Sequence, residues 1–581
     1  MKRLILLAAT VFLILPASAQ LLRARVHEDL TITVEEVEAE MPVEWRGGNN
    51  FEQLPGFPKA MPANPTFKNI RNITLADLDD DGVDDILWGA DNKLLAYSRG
   101  SLLWERTLSA VAIYPPSAGD IDGDGQLEIV LATGGLQASP RLYAFEKDGA
   151  DVAGWPLNLN NNWVLVAPTL SDLDGDGAME IVVSERDYPI GYVHIIKGDG
   201  TSFSPHWPVA LDATPAVTPS ISDIDGDGKK DIVIHSYTSR YIFGLDGQPK
   251  PGFPIVTGPA QIHSYQSPIL ARLGNENQLQ IVGASHGDSP EFYIIDATGA
   301  YRPGWPIPVP GNNRTFSTPT VVKINGEDWI FMGRNQGDVS GNMLFAWDAD
   351  GNLREGFPIN KTGGNEGIIS IGDIDGDGEF ELVFGSDLYT TDGPGFIHAY
   401  ELDGSGEVEG FPLRPRGANP LNGAALSDIN GDNLMDLVAI SFTVGTNPDS
   451  VYLNAYNLNV PYSPERVLWS TYKGSSTRDG TTVPELPSGT AIFHNSVQEL
   501  KAFPNPATEE TVLYFTPDRP VTLSIHLTDA HGRARQLLPA RQWPAGEQQA
   551  RLPLNNLPSG LYWISVRSDE KIIGNTPLFI R

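Results

Sequence analysis

Residues 120–128 read Asp-Ile-Asp-Gly-Asp-Gly-Gln-Leu-Glu, and an apolar run, Ile129-Val130-Leu131, follows directly. Variants of this acidic pattern begin at Asp77, Asp120, Asp172, Asp223, Asp373 and Asp428. The first four copies are 43, 52 and 51 residues apart, and the 150 residues between Asp223 and Asp373 leave room for two more units. A period near 50 residues with several short strands per unit is typical of propeller blades.

The two missing units are recognised by a proline that stands four residues before the motif. It occurs at Pro116, Pro168 and Pro219, and it recurs at Pro268 and Pro319. The first motif position then falls on Arg272 and Lys323, whose cationic side chains could take part of the charge role of a metal. We therefore predict eight units, with seven as the alternative.

Two further elements recur with the same count. A short strand with an aromatic residue, such as Leu-Tyr-Ala-Phe ending at Phe145, is often followed by an Asp-Gly turn, which favours tight hairpins. Next comes an aromatic-Pro corner, and a seventh copy of it, Phe57-Pro58, precedes the first unit. This extra copy predicts that an N-terminal strand completes the last blade. No stretch long enough for a helix shows the 3.6-residue periodicity of apolar residues, so the predicted fold class is all-β.

The acidic loop has the chemistry of a calcium site. Calcium takes six to eight oxygen ligands, and acids at positions 1, 3 and 5 of a tight loop direct their oxygens inward. Gly at position 6 permits a sharp turn, position 7 offers its carbonyl, and the acid at position 9 can bind through both oxygens. Four carboxylates in nine residues are costly without a cation, since two unit charges 4 Å apart interact by ~4 kcal/mol near a protein surface. An EF-hand is a poor alternative, because its loop extends to position 12 between helices.

We predict about six calcium ions and two metal-free loops. The predicted ligands are Asp77, Asp79, Asp81, Val83 and Asp85; Asp120, Asp122, Asp124, Gln126 and Glu128; Asp172, Asp174, Asp176, Ala178 and Glu180; Asp223, Asp225, Asp227, Lys229 and Asp231; Asp373, Asp375, Asp377, Glu379 and Glu381; and Asp428, Asn430, Asp432, Leu434 and Asp436.

These units resemble FG-GAP repeats, the calcium-bearing blades of integrin α-subunit propellers and of many bacterial surface proteins. The resemblance covers residues 51–480. It implies that the metals lie in loops within each blade and that ligands bind on a face formed by other loops.

The chain begins with features of a signal peptide. Lys2 and Arg3 precede an apolar run from Leu4 to Leu15, and a small-residue cleavage pattern predicts removal of residues 1–19. No later segment is apolar enough to span a bilayer. The 581-residue chain has a net charge of −33, which argues against nucleic-acid partners, and it has no cysteine, which excludes disulfides.

A smaller domain is predicted over residues 497–581, after an N-terminal segment (20–50), the propeller (51–480) and a linker (481–496). Short alternating strands and frequent turn signals predict a β-sandwich. The strings Phe503-Pro504-Asn505-Pro506, Asp529-Ala530-His531-Gly532-Arg533 and Leu557-Pro558-Ser559-Gly560-Leu561-Tyr562 resemble the type A C-terminal sorting domain of the type IX secretion system of Bacteroidetes. This resemblance implies contact with that machinery and a secreted or outer-membrane surface location.

No catalytic constellation stands out in the sequence. His194 and His398 lie in the repeated aromatic strands, and Trp155, Trp207 and Trp305 lie in the corners, so packing roles are expected for all of them. The sequence therefore favours a binding or adhesion scaffold for an extracellular protein or glycan, and no enzymatic activity is expected. A lyase-like polysaccharide-degrading enzyme and a structural component of a surface assembly are the alternatives.

Overall fold

The computed structural model divides the chain into two compact units, one of residues 1–323 and 327–484 and the other of residues 485–581 together with 324–326. It describes residues 20–39, 41–42, 45, 51–68, 71, 73–134, 139–159, 166–274, 276, 278–312, 315–335, 340–446, 448–481, 497–508, 510–517, 521–529, 534–544, 546, 548–554, 557, 560–568 and 571–580. The predicted signal peptide and nearly all of the predicted linker lie outside these residues.

The first unit is built from short strands. In chain order they are β1 (Leu21–Val26), β2 (Ile32–Val37), β3 (Lys59–Pro62), β4 (Thr74–Ala76), β5 (Asp85–Ala90), β6 (Lys93–Ser98), β7 (Ser101–Thr107), β8 (Ser117–Gly119), β9 (Glu128–Ala132), β10 (Leu142–Phe145), β11 (Thr169–Ser171), β12 (Glu180–Asp187), β13 (Ile190–Ile196), β14 (Val209–Leu211), β15 (Ser220–Ser222), β16 (Asp231–His235), β17 (Ser239–Phe243) and β18 (Ile255–Val256). They continue with β19 (Ile269–Ala271), β20 (Gln280–Ala284), β21 (Glu291–Ile295), β22 (Ile307–Pro308), β23 (Thr320–Ile324), β24 (Glu327–Gly333), β25 (Ser340–Trp347), β26 (Ile359–Thr362), β27 (Ile369–Gly372), β28 (Glu381–Thr390), β29 (Gly395–Glu401), β30 (Ala425–Ser427), β31 (Leu434–Phe442), β32 (Ser450–Pro461) and β33 (Val467–Trp469). Short 3-10 turns cover Pro310–Asn312, Pro464–Arg466 and Tyr472–Gly474.

Each repeat predicted from the sequence forms its own sheet, whose strands follow one another in chain order. Within the described residues these sheets are β4–β7, β8–β10, β11–β14, β15–β18, β19–β22, β23–β26, β27–β29 and β30–β32. We number the sheets and their repeats 1 to 8 in this order. The chain is therefore all-β, as predicted, and its sheets pack in a propeller-like way.

The middle strands are buried on both faces, which explains why they read as continuous apolar runs. In β12, Ile181 and Val183 pack with sheet 2, whereas Val182 packs with sheet 4. Similar shared cores join sheet 1 to sheet 2, sheet 4 to sheet 5 and sheet 7 to sheet 8. Since fully burying one such side chain contributes about 1.5–3 kcal/mol, contacts between sheets supply much of the stability.

The last sheet also packs against the first. Ile86 and Trp88 of β5 share a core with Val438 and Ile440 of β31. In addition, β3, which precedes the first sheet in the chain, pairs with β32 of the last sheet. The strand that follows Phe57-Pro58 thus joins the last repeat, as the extra corner predicted.

Buried hydroxyl groups join the innermost strands of neighbouring sheets. Each is donated by the residue after the recurring proline, or its equivalent, to a carbonyl of the next repeat. The bonds run from Thr74 to Pro116, Ser117 to Pro168, Thr169 to Pro219, Ser220 to Pro268, Thr320 to Ile369 and Ser370 to Ala424. The Ser or Thr at this position therefore links two neighbouring sheets through a buried hydrogen bond.

The segment that ends the first unit departs from the expected pattern. Val467–Trp469 follows the last repeat in the chain, but as β33 it pairs with β27 of sheet 7. The chain then passes the innermost strands of sheets 2, 3, 4 and 5. Backbone N–H groups of these strands donate to Ser476, Thr477, Asp479 and Gly480 at 2.8–3.1 Å (from Ala118, Leu170, Ile221 and Leu270, respectively). We call residues 467–481 the crossing segment.

The predicted N-terminal segment, residues 20–50, includes a described hairpin that contributes to the first unit. The β1–β2 hairpin adds to sheet 7 through pairing of β1 with β28. Its Val26 and Leu30 join an apolar cluster with Tyr265, Phe316 and Tyr472. This central cluster also takes in residues from the connections that precede the innermost strands: Ile113, Tyr114, Val166, Ala216, Ile368 and Leu421.

The second unit is a small two-sheet domain. Its strands are β34 (Val497–Phe503), β35 (Glu510–Pro517), β36 (Val521–Asp529), β37 (Ala534–Trp543), β38 (Gln548–Pro553), β39 (Gly560–Ser568) and β40 (Lys571–Ile580). One sheet has the order β34-β35-β38 and the other β37-β36-β39-β40. Phe515 and Trp543 meet edge to face in their shared core, with their ring centroids 4.8 Å apart. This is the architecture expected of a β-sandwich.

Candidate metal centres

Each acidic loop connects the first and second strands of its sheet. The residue just before loop position 1 pairs with the residue at position 9 across the two strands. This register is Ala76–Asp85, Gly119–Glu128, Ser171–Glu180, Ser222–Asp231, Gly372–Glu381 and Ser427–Asp436. The nine-residue spacing therefore places the last acid beneath the loop.

The turn itself depends on left-handed backbone at position 6. In loop 2, Gly125 has a φ of 85°, and in the loop of repeat 8 Asn433 takes the same place with a φ of 63°. Glycine tolerates positive φ without steric cost, and Asn is the next best residue. The sequence argument for a sharp turn at this position is confirmed.

The acid at position 1 organises the loop from within. In loop 2, Asp120 accepts the backbone N–H of Gly123 at 2.7 Å on Oδ1 and that of Gly125 at 2.9 Å on Oδ2. Asp172, Asp223 and Asp428 accept equivalent pairs of N–H donors. These bonds hold the carboxylate at the centre of the turn.

Five loops bring three carboxylates together. Oxygens of the acids at positions 1, 3 and 9 lie within 4.8 Å of one another in the sets Asp77, Asp79, Asp85; Asp120, Asp122, Glu128; Asp172, Asp174, Glu180; Asp223, Asp225, Asp231; and Asp373, Asp375, Glu381. In the loop of repeat 8, position 3 is Asn430, whose amide oxygen is also a possible calcium ligand.

Positions 5 and 7 make a different contact in the structure. The position-5 carboxylate accepts the N–H of position 7, for example from Gln126 to Asp124 and from Glu379 to Asp377, both at 2.8 Å. One oxygen of each acid is thus used to close the turn. The assignment of these acids, and of the position-7 carbonyls, as metal ligands stays a prediction.

The position-9 acids carry the strongest sign of a missing partner. Glu128, Glu381 and Asp436 are fully buried, and in each one oxygen accepts the N–H of position 2. The second oxygen of each is buried and has no hydrogen-bond partner among the described residues. A buried carboxylate oxygen without a partner is costly, so these atoms suit a cation at the same point.

Burial has the expected effect on the protonation of these acids. It raises the pKa of Glu128 to about 7, that of Glu381 to about 9 and that of Asp436 to about 7, and neighbouring loop acids add to the effect. A bound divalent ion reverses this, because it favours the ionised carboxylate. The donor set, all oxygen and rich in carboxylates, fits calcium.

A family model for the FG-GAP-like repeat matches residues 120–183 and 172–234. The chain contains FG-GAP-like repeats. The two matches include the second, third and fourth acidic loops, so the resemblance predicted from the loops is confirmed for this part of the chain.

A second family model, the secretion system C-terminal sorting domain, matches residues 501–576. This match falls within the two-sheet second unit and confirms the predicted sorting domain. The domain marks a protein exported by the type IX secretion system, so the protein is secreted or lies at the cell surface. Within the described part of the chain, no helix is long and apolar enough to cross a membrane.

Three solved structures show weak similarity to this chain. The V. cholerae biofilm matrix protein Bap1 is 14% identical, with 71% of this chain and 92% of that chain covered and a TM-score of 0.44. The Dos1 propeller is 12% identical (70% and 95% covered, TM-score 0.37), and the WD40 domain of Toxoplasma gondii coronin is 9% identical (75% and 95%, 0.32). At these scores the similarities carry no argument about function. No curated protein matches the sequence.

The predicted packing roles outside the loops are confirmed. The indole N–H groups of Trp155, Trp207 and Trp305 donate to backbone carbonyls of the next repeat at 2.7–3.0 Å. His194 contacts Glu185 at 2.8 Å, and His398 contacts Glu407 at 2.6 Å. Burial lowers the pKa of His398 to about 4, as expected for an imidazole held in a core.

The two loops predicted to be metal-free contain one cation that the sequence predicted and one that sequence reasoning missed. Lys323 lies 3.4 Å from Asp328, as a built-in cation at position 1 should. Arg272 is exposed, and the guanidinium found in the loop of repeat 5 is that of Arg302, 2.7 Å from Glu276. The sequence contained one signal for this role, since Arg302 stands at a recurring position, three residues before an aromatic-Pro corner.

Proposed function

We propose that this protein is a secreted or surface-attached, calcium-stabilised β-propeller of eight blades that acts as a binding or adhesion scaffold. The propeller occupies residues 51–480, and residues 481–496 link it to the sorting domain at 497–581. Type IX export delivers it to an environment where calcium is abundant enough to fill sites with dissociation constants of about 10⁻⁴–10⁻³ M.

Eight blades are supported by the order of the sheets and by their closure. Successive sheets share apolar cores, and Trp88 of sheet 1 packs with Val438 of sheet 8. The pairing of β3 with β32 adds an N-terminal strand to the last blade, which ties the two ends of the ring together. Seven blades would leave one of the eight repeat sheets outside the ring.

Calcium is supported above all by the unpartnered buried oxygens at position 9. Three fully buried acids, Glu128, Glu381 and Asp436, each keep one oxygen without a hydrogen bond from any described residue. They lie in loops whose other acids are already ordered by backbone N–H donors. A loop built only as a turn has no use for a buried acid with an open oxygen.

A binding role is supported by the contrast between the packed middle of the first unit and an open cleft at its outer side. The central cluster and Arg71, which is fully buried and donates to the carbonyls of Glu366 and Tyr265 at 2.8 Å, fill the middle of the first unit. By contrast, an outer cleft of about 700 Å³ lies beside the loop of repeat 8. Ligand recognition on peripheral loops of a rigid scaffold agrees with this arrangement.

The lining of this cleft suits a polar ligand such as a glycan. Its walls include Gln53, Asn430, Asn457 and Asn459 near the ring of Phe57. Amide groups both donate and accept hydrogen bonds, and an aromatic ring offers an apolar face. Asn457 also donates to Asp432 of the adjacent acidic loop at 3.1 Å, so a metal there would help to order the cleft.

The test is binding of the secreted protein to a panel of glycans and extracellular matrix proteins, with calcium and with chelator. We expect calcium-dependent binding that is weakened by Glu52→Lys at the rim of the cleft but not by Glu355→Lys, another exposed acid outside its lining. Binding that neither the chelator nor Glu52→Lys affects would contradict the proposal. Release of unsaturated sugars would instead identify a lyase.

A further inference from the structure

Three consecutive FG-GAP-like repeats carry a basic residue at one position where the others do not. The position is three residues before the aromatic-Pro corner. It is occupied by Lys250, Arg302 and Arg354 in repeats 4, 5 and 6, and by Leu54, Val152, Ser204 and Val408 at the other corners.

In repeat 4 this residue enters the acidic loop. The Lys250 ammonium lies 2.6 Å from Asp225, 2.9 Å from Asp231 and 3.2 Å from Asp227. Asp225 and Asp231 are two of the three acids that converge in this loop. The ammonium thus contacts the acids at positions 3, 5 and 9, and its side chain is only 18% exposed.

The same position serves the two degenerate loops. In repeat 5, Arg302 contacts Glu276 at 2.7 Å and Gln280, which stands at position 9, at 3.1 Å. A Cβ atom added to Gly274, at position 3, would lie 2.8 Å from the Arg302 guanidinium. The arginine therefore fills the space of the absent acid. In repeat 6, Arg354 contacts Glu327 at 2.6 Å.

Where the residue is apolar, the loop has an unsatisfied acid instead. Val152 and Val408 are buried, and the position-9 acids of their repeats, Glu128 and Glu381, have an oxygen without a partner in the described structure. In repeat 4 the oxygens of Asp231 also lack a hydrogen-bond partner, but the Lys250 ammonium lies 2.9 Å from one of them. The described structure shows no ion pair to Glu128 or Glu381, although Arg466 lies 2.5 Å from the position-1 acid of loop 7, Asp373. The position-9 acid is thus neutralised from within in repeat 4, whereas it is open to an ion in repeats 2 and 7.

Among the described residues, the other lysines near the loops do not make the same three contacts. Lys197, the nearest parallel, lies 3.3 Å from Asp174 and 3.9 Å from Glu180 in loop 3. Its side chain is 36% exposed, twice the value for Lys250, so it can swing into solvent when an ion binds. Lys250 has no comparable freedom.

We propose that Lys250 takes the place of calcium in loop 4, and that, in the repeats that have an aromatic-Pro corner, the residue three positions before this corner determines whether the loop holds an ion. This inference rests on the proposed calcium binding of the other loops. An ammonium in direct contact with three ligand carboxylates repels a divalent ion from the same point. The wild-type protein then binds five calcium ions, in the loops that begin at Asp77, Asp120, Asp172, Asp373 and Asp428.

The test compares calcium stoichiometry in the full secreted chain by calorimetric titration and by metal analysis after gel filtration. We expect five ions for the wild type, six for Lys250→Met and four for the reverse change, Val152→Lys. Val408→Lys provides a second loss variant if Val152→Lys does not fold, and circular dichroism checks the fold of each. Stability supplies an independent readout, because Lys250→Met leaves three acids uncompensated and should depend more steeply on calcium than the wild type.

The possible failures are distinguishable. If the wild type takes up no calcium, the proposed calcium binding is wrong and the inference falls with it. If the wild type binds calcium but folded Lys250→Met gains neither an ion nor added calcium dependence, only the role of Lys250 is wrong. Six ions in the wild type would also overturn that role.

Discussion

Glu381 offers a direct way to separate a metal ligand from a structural acid, through the variant Glu381→Gln. Burial raises the pKa of this carboxyl to about 9, so without a metal the folded protein keeps it protonated near neutral pH. The unfolded chain ionises it at about pH 4.3. Between these values the folded state binds one more proton, and stability must fall as the pH rises.

The size of this effect follows from one proton. Each pH unit is worth about 1.4 kcal/mol, so in chelator the free energy of unfolding should fall by about 2.7 kcal/mol from Glu381 alone between about pH 6 and pH 8. Glu381→Gln is neutral at both pH values and should lack this contribution. In chelator near pH 8 the variant should be at least as stable as the wild type, since Gln can still accept the N–H of Ile374.

Calcium should reverse the order of stability. At a free concentration 100 times the dissociation constant, one bound ion stabilises by about 2.7 kcal/mol, and the variant loses that ion. Urea unfolding followed by tryptophan fluorescence measures the free energy of unfolding of both proteins under four conditions, at two pH values with calcium and with chelator. Equal destabilisation of Glu381→Gln in calcium and in chelator would refute the reasoning, because the acid would then act only through its hydrogen bond.

Two further predictions concern the packing of the ring. Thr320→Val removes the buried 2.8 Å hydrogen bond from the Thr320 hydroxyl to the Ile369 carbonyl. Urea unfolding should show a free energy of unfolding lower by about 1 kcal/mol, with or without calcium. An unchanged free energy would show that this hydrogen bond does not stabilise the contact between the two sheets. Burial holds the pKa of Lys473 well below its usual range, so the unfolded chain binds the extra proton and stability should rise as the pH increases toward about 10. Lys473→Met should lack this rise, and a persistent rise in the variant would contradict the assignment.

The loops and the repeat could be predicted because their determinants are local. The acids of loop 2 and the left-handed turn at Gly125 lie within nine residues, and strand pairing then places Glu128 beneath them. The extra Phe57-Pro58 corner likewise predicted an added strand in the last repeat, since it copies a feature of every later corner. The regular spacing of these local features is therefore enough to predict the repeat from the sequence.

The remaining features depend on contacts between distant residues. Lys250 reaches acids 19–25 residues earlier, and its place three residues before Phe253-Pro254 marks a recurring position but does not indicate which acids its ammonium contacts. The crossing segment has no period, because its residues meet a different sheet at each step. Thr320 lies within the repeat pattern, but a hydroxyl after proline is too common to indicate a partner in the next repeat.

The proposed neutralisation pattern divides the ring into two arcs. Repeats 4, 5 and 6 carry Lys250, Arg302 and Arg354 in their loops, whereas repeats 7, 8, 1, 2 and 3 rely on calcium. The second arc contains the closure, where β3 pairs with β32 and sheet 8 packs on sheet 1. Removal of calcium should therefore loosen the ring first at its closure, because the buried position-9 acids that have no ion-pair partner in the described structure, Glu128, Glu381 and Asp436, lie in the second arc. Amide hydrogen exchange in chelator should rise in β5 and β31 before it rises in β16 and β20, and equal exchange around the ring would show that the resident cations do not replace the ions.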